Sequence, residues 1–161
     1  MKPMDKDGLL LCTVQAEAFE LSKELTASSS AIFIRRFMNS CIARELDSGS
    51  FLQGSLCARD LLDCVEEEYG VSRYGSVTYT KNELYWIGYL YRYYAYTYQI
   101  SSRQAYKTVK PKELRDLFLP YHTLDPKQAI SRILEAKNLP GSEEDELARQ
   151  YQILRKIRTE K

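Results

Sequence analysis

The chain has 161 residues, 44% hydrophobic and 28% charged, with 23 Lys+Arg against 22 Asp+Glu, one His and a formal net charge of +1. That profile fits one globular domain and excludes a disordered chain, a collagen-like fibre and a disulfide miniprotein, and with its charge balanced a strongly basic nucleic-acid binder is not the default reading. Seven Gly and five Pro give little turn punctuation for an all-β fold, while 13 Tyr stand well above the usual share.

Hydrophobic spacing predicts eight helical segments and no convincing strand. The first covers about Leu10 to Leu25, with Val14, Ala18, Leu21 and Leu25 on one face. Ser28-Ser29-Ser30 then supply hydroxyls that can cap a helix by accepting from its free N–H groups. The second runs from about Ala31 to Leu46, its apolar stripe made by Ile34, Phe37, Met38, Cys41, Ile42 and Leu46. Phe51–Leu56 reads as a loop, and a third helix spans about Ala58 to Tyr69, stopped by Gly70. The stretch from Gly70 to Ser76 reads as the flexible joint of the chain. Val77, Tyr79 and Thr80 also allow a short hairpin edge beside it.

Thr80-Lys81-Asn82-Glu83 matches a capping box, in which the Thr hydroxyl and the Glu carboxylate each bond the other's backbone N–H. The helix it opens, about 81–99, is apolar or aromatic on nearly every side, which predicts a central helix wrapped by others. Gly88 in its middle predicts close approach of a neighbouring element, since Gly there costs roughly 1 kcal/mol against Ala. Ser101 and Ser102 open a fifth helix to Val109. Pro111 opens a sixth that ends before Pro120, and Asp125-Pro126 opens a seventh to about Asn138. Pro140-Gly141 breaks the chain, and Ser142 with Asp145 starts an eighth helix striped by Leu147, Tyr151, Leu154 and Ile157 or Arg158. Its acids at Glu143–Glu146 and bases at Arg155, Lys156 and Arg158 both suit the helix dipole.

Little in the sequence points to chemistry. Cys12, Cys41, Cys57 and Cys64 form no C-x-x-C pair, and one His leaves a zinc site short of ligands, so no metal is expected. Cys41 and Cys64 fall on apolar stripes and read as inert buried thiols. No signal-peptide core and no run of ~18–20 apolar residues occurs, which reads as a reduced, cytoplasmic protein without membrane attachment. The single His122 has no nucleophile elbow near it, no glycine-rich phosphate cradle is present, and acid pairs such as Asp60 with Asp63 read as solvated charge. No catalytic residue and no cofactor is assigned.

Eight tyrosines lie between Tyr79 and Tyr98. A generic core would use Leu, Ile and Phe, which need no hydroxyl partner. Tyrosine with Trp86 and Arg92 suits an interface, and it equally suits a central helix whose hydroxyls reach its rim. Arg92 is the one full charge between Leu84 and Tyr98. Buried, it requires a carboxylate; unpaired, it could read an anionic group. Charge is also uneven, with acids concentrated at 57–70 and bases at 99–116 and 149–161. No nucleic-acid recognition motif accompanies the basic stretches, so direct DNA or RNA binding is not expected.

Three strings carry a resemblance: Ile34-Arg35-Arg36-Phe37-Met38-Asn39-Ser40, the run from Tyr79 to Tyr93, and Lys110-Pro111-Lys112-Glu113-Leu114-Arg115-Asp116-Leu117 continuing through Tyr121-His122-Thr123-Leu124-Asp125. Together they resemble an uncharacterised, antitoxin-like family of small proteins of gut-type Firmicutes, encoded beside small domains that resemble ADP-ribosyltransferase toxins. The resemblance spans about residues 30–137. It implies a non-enzymatic, partner-binding role and transfers no catalytic residue.

The expectation is therefore a single all-α domain over 1–161, a compact bundle of seven to eight helices around the Tyr-rich helix, with about 1–8 and 155–161 frayed. Its expected function is toxin neutralisation by direct contact, through exposed members of Tyr79, Lys81, Tyr85, Arg92 and Tyr96. The alternative is a small-ligand or nucleotide-binding domain, or an enzyme, with a pocket formed by Tyr89, Arg92, Tyr93 and His122.

Overall fold

Asp5 opens the first helix by accepting the Gly8 N–H at 2.8 Å, a cap that starts the helix four residues earlier than apolar spacing suggests. In the computed structural model, which describes residues 1–54, 57–139 and 143–159, the elements in chain order are α-helical throughout apart from one 3₁₀ turn. They are α1 (Lys6–Leu25), α2 (Ser30–Met38), α3 (Cys41–Ser48), the 3₁₀ turn (Ser50–Gln53), α4 (Ala58–Tyr69), α5 (Lys81–Tyr98), α6 (Ser102–Thr108), α7 (Pro111–Tyr121), α8 (Pro126–Ala136) and α9 (Glu143–Thr159). Among the described residues no strand occurs, and no helix is long and apolar enough to cross a membrane.

The helix count exceeds the expected seven to eight by a physical break at Asn39-Ser40. The buried Ser40 accepts from the Ala43 N–H at 3.2 Å and donates to the Phe37 carbonyl at 2.6 Å. Asn39 turns its amide onto the Arg35 carbonyl. These short polar side chains bond the backbone themselves, so they end one helix and cap the next. The break re-aims the following residues. Ile34, Phe37, Met38, Ile42 and Leu46 are buried as the stripe requires, but Cys41 is exposed, beside Glu68 and Arg44. Of the four free thiols only Cys12 is fully buried, and burial pushes it up to about 12.

A second correction concerns Pro120, which lies inside α7 rather than beyond it. Proline there forgoes one N–H bond in the last turn, and the helix closes one residue later with the His122 N–H on the Phe118 carbonyl at 2.8 Å. The segment after Gly70 is irregular rather than a hairpin. It is anchored by backbone bonds from Ser29 N–H to the Tyr74 carbonyl and from Ser30 N–H to the Val77 carbonyl.

The core is built on α1 lying along α5. Phe19 packs edge-to-face on Phe33 and Phe37 of α2, with ring centroids 5.5 and 5.0 Å apart. Leu61, Leu62 and Val65 of α4 bury against the same cluster, and Leu114, Ile130, Ile133 and Leu134 of α7 and α8 close it beside α5. The cavity left between α5, α7 and α8 is about 10 Å³, room for about one water. Lys6–Gly8 belong to α1 and residues 155–159 to α9. The Pro140-Gly141 break, the Ser142 cap and residues 160–161 lie outside the described residues.

Candidate functional site

The expected capping box positions α5. Thr80 Oγ1 accepts from the Glu83 N–H at 3.2 Å, and Glu83 Oε1 accepts from the Thr80 N–H at 2.9 Å. Glu83 also takes Arg115 Nε at 3.2 Å, which ties the start of α5 to α7. From there the helix presents a sealed face and a half-open one.

The sealed face meets α1, α3 and α6. At Gly88 an added Cβ would fall 2.8 Å from Phe19 Cγ and 3.0 Å from the Gln15 carbonyl oxygen, so only the missing side chain lets α1 pass this close. Gln15 Nε2 fastens the crossing by donating to the Gly88 carbonyl at 3.0 Å. One turn on, Arg92 is 1% exposed and each of its three guanidinium nitrogens is bonded, across three elements. Nε donates to Gln15 Oε1 at 2.8 Å, one terminal nitrogen to Asp47 Oδ1 at 2.6 Å, and the other to Ser102 Oγ at 2.7 Å. Ser102 returns its hydroxyl to Asp47 Oδ1 and its N–H to Asp47 Oδ2. Burial pulls the Arg92 pKa down and Asp47 opposes it; an arginine so held stays charged. Tyr91, next on this face, donates its hydroxyl to the Val109 carbonyl at 2.5 Å.

The half-open face carries Tyr85, Tyr89 and Tyr93, one per turn and each partly buried. Tyr89 and Tyr93 stack with centroids 6.4 Å apart and planes 26° from parallel. Among the described residues none of the three hydroxyls has a hydrogen-bond partner. Partial burial raises each phenol above its ordinary value, with Glu17 and Glu20 of α1 adding at Tyr85 and Asp125 adding at Tyr89 and Tyr93. The row therefore holds three protonated donors on aromatic rings, with acids on its rim at Glu17, Glu20 and Asp125 and the bases Lys2 and Lys127 around the hollow beside Tyr93.

The predicted partner residues divide between these two environments. Tyr79 is 4% exposed and lies under the Arg115 guanidinium, 4.5 Å from its ring centre, so it belongs to the packed side. Arg92 does too, and neither offers its side chain to a partner. Lys81 is exposed but paired with Glu24. Tyr85 stands in the open row. Tyr96 is half-buried, donates to Asp5 Oδ1 at 2.6 Å and has Lys2 4.2 Å over its ring, which fixes the N-terminal segment to the end of α5.

The predicted ligand residues do not converge. Tyr89 and Tyr93 stack on each other, but Arg92 is spent on Asp47. His122 stacks on Phe118, and its Nδ1 lies 2.7 Å from the Phe118 carbonyl, a capping role at the end of α7. Arg92 sits on the wall of a cleft of about 530 Å³ that also reaches Lys2, Arg44 and Tyr96. Tyr93 lines a separate hollow of about 250 Å³ under Met1 and Lys2. Tyr89 and His122 line neither.

Sequence reading missed Gln15, Asp47 and Ser102 as the partners of Arg92. One signal existed: Gln15 interrupts the apolar face of the first helix, where a polar residue needs a buried partner. Asp47, at the end of a predicted helix, gave none. Among the described residues no cluster of His, Cys, Asp and Glu is arranged to hold a metal. Comparison with protein-family models, with curated proteins and with solved structures finds no match in any of the three.

Proposed function

We propose that this protein is a non-enzymatic protein-binding module, the antitoxin-like member of a bacterial pair that neutralises its toxin by direct contact in the cytoplasm. One observation carries the reading: the row of Tyr85, Tyr89 and Tyr93 keeps aromatic surface and unspent hydroxyl donors at the protein's edge. Rigid amphipathic rings of this kind form interface hot spots at low entropic cost. The rim of Glu17, Glu20 and Asp125 favours a partner whose docking face is basic. The sequence resemblance points the same way, and an ADP-ribosyltransferase-like domain is the toxin it names. The reading uses no cofactor, metal, membrane or nucleic acid. The alternative, a small-ligand or nucleotide-binding domain, requires Arg92 to leave a carboxylate it holds at 2.6 Å.

Co-expression with the product of the adjacent gene tests the proposal. The two proteins co-purify, and growth inhibition by the neighbour is relieved. Tyr85→Ala and Tyr89→Ala each weaken the complex by about 2 kcal/mol or more, roughly 30-fold, with Tm nearly unchanged. A neighbour that neither co-purifies nor is neutralised ends the reading. If both substitutions unfold the chain, the tyrosines are core and the surface is misassigned.

A further inference from the structure

Among the described residues α9 is the helix without a single buried side chain. Leu147, Tyr151 and Leu154 are 66%, 69% and 63% exposed, and Ile153 and Ile157 are about half exposed. They stand on adjoining turns and form one apolar strip along a helix of 17 residues, about 25 Å long. A helix of this length is marginal in water without tertiary support. The strip therefore calls for a covering surface, and the charge pattern says which.

The first turns of α9 hold Glu143, Glu144, Asp145 and Glu146, and the last hold Arg155, Lys156 and Arg158. We infer that α9 pairs antiparallel with α9 of a second copy of this chain. Setting Leu147 of one copy level with Leu154 of the other fixes the register by apolar contact alone. In that register position 143 comes level with 158, 145 with 156 and 146 with 155. Each is an acid against a base, and the two-fold axis repeats each pairing. Helix dipoles also oppose in this direction. Parallel pairing would set acids beside acids and bases beside bases. A partner with a uniformly acidic or basic face would match only one half of the helix, so a second copy fits the pattern better than another protein. The area of one short helix pair is at the low end of specific interfaces, so the dimer forms and dissociates with concentration. The tyrosine row of α5 takes no part, and this inference stands independently of the toxin partner.

Sedimentation of the full chain from about 1 to 200 µM tests it. Mass rises from monomer to dimer across that range, and added salt weakens the association. Leu154→Asp lowers self-affinity by at least about tenfold without moving Tm, because Leu154 is 63% exposed and no described side chain of α9 is buried. The chain with Glu143, Asp145 and Glu146 changed to Lys stays monomeric, as does the chain with Arg155, Lys156 and Arg158 changed to Glu; mixed, the two form a one-to-one dimer. A monomer at the top of the range overturns the inference, and so does a dimer indifferent to Leu154→Asp. A fall in Tm on Leu154→Asp with no dimer in the unchanged chain shows that α9 folds back on its own body, which overturns it too.

Discussion

α5 and α9 are nearly equal in length, 18 and 17 residues, and both carry large apolar and aromatic side chains. α5 lies among α1, α6, α7 and α8 and buries Leu84, Ile87, Leu90 and Tyr91, whereas every described side chain of α9 is open. The two differ in the number of apolar faces. α5 is apolar on most of its circumference, so several elements must pack around it. α9 has one strip and a charged back, which a single neighbouring helix can satisfy. Tyrosine means different things in the two: on α5 the half-buried row is the open edge of a rigid core element, and on α9 the one tyrosine, Tyr151, belongs to a strip that the described residues leave uncovered.

The sharpest way to break this comparison is at the charges. Arg92→Ala leaves Asp47 and Gln15 without their buried partner and costs about 3–5 kcal/mol. At this chain length that lowers Tm by about 10 °C or more in a thermal melt. Arg155→Ala on α9 moves Tm by less than about 1 °C. Equal effects at the two sites would mean that Arg92 is not locked in solution, and would reopen its use as an anion reader. A smaller effect is expected at Gly88. Gly→Ala inside an exposed helix stabilises by roughly 1 kcal/mol. Here the new methyl meets Phe19 and the Gln15 carbonyl within 3.0 Å, so Gly88→Ala destabilises by about 1–3 kcal/mol in urea titration. A stabilised Gly88→Ala would show that α1 and α5 are not in contact there.

Local signals explain which parts were legible in the sequence. The Thr80–Glu83 box, Pro111, Pro126 and Gly70 announce helix ends through backbone chemistry that acts within four residues, and those boundaries hold. Gly88 announced a close crossing without saying with what. The break at Asn39-Ser40 escaped because the apolar stripe continues almost in phase across it, and periodicity outweighed two polar residues that end a helix. The Arg92 network escaped for a different reason. Gln15, Asp47 and Ser102 lie 77, 45 and 10 residues from Arg92 along the chain, and nothing local ties them together. Of the site, the sequence disclosed which helix carries the tyrosines. Which of them face outward depended on where α1 and α8 pack.

The smallest expected effect lies at the end of α5 and separates its fixed tyrosine from the open row. Tyr96 donates to the Asp5 carboxylate, which also caps α1 through the Gly8 N–H. The Tyr96 hydroxyl, followed by that N–H, holds the Asp5 pKa below its ordinary value. A carboxylate depressed in the folded state stabilises the structure above its unfolded pKa of about 3.9, and that contribution is lost as pH falls through the lower folded value. The consequence is local, because Asp5 lies at the solvent edge: as pH falls below about 4 the Gly8 amide loses protection relative to its intrinsic exchange rate while the core amides of α5 do not. Tyr96→Phe removes the first donor and moves the Asp5 midpoint upward, toward the ordinary value, in an NMR titration. Tyr89→Phe, which removes a hydroxyl with no described partner, leaves that midpoint where it was. An Asp5 midpoint indifferent to Tyr96→Phe would place Tyr96 with the open row and add it to the surface available for docking.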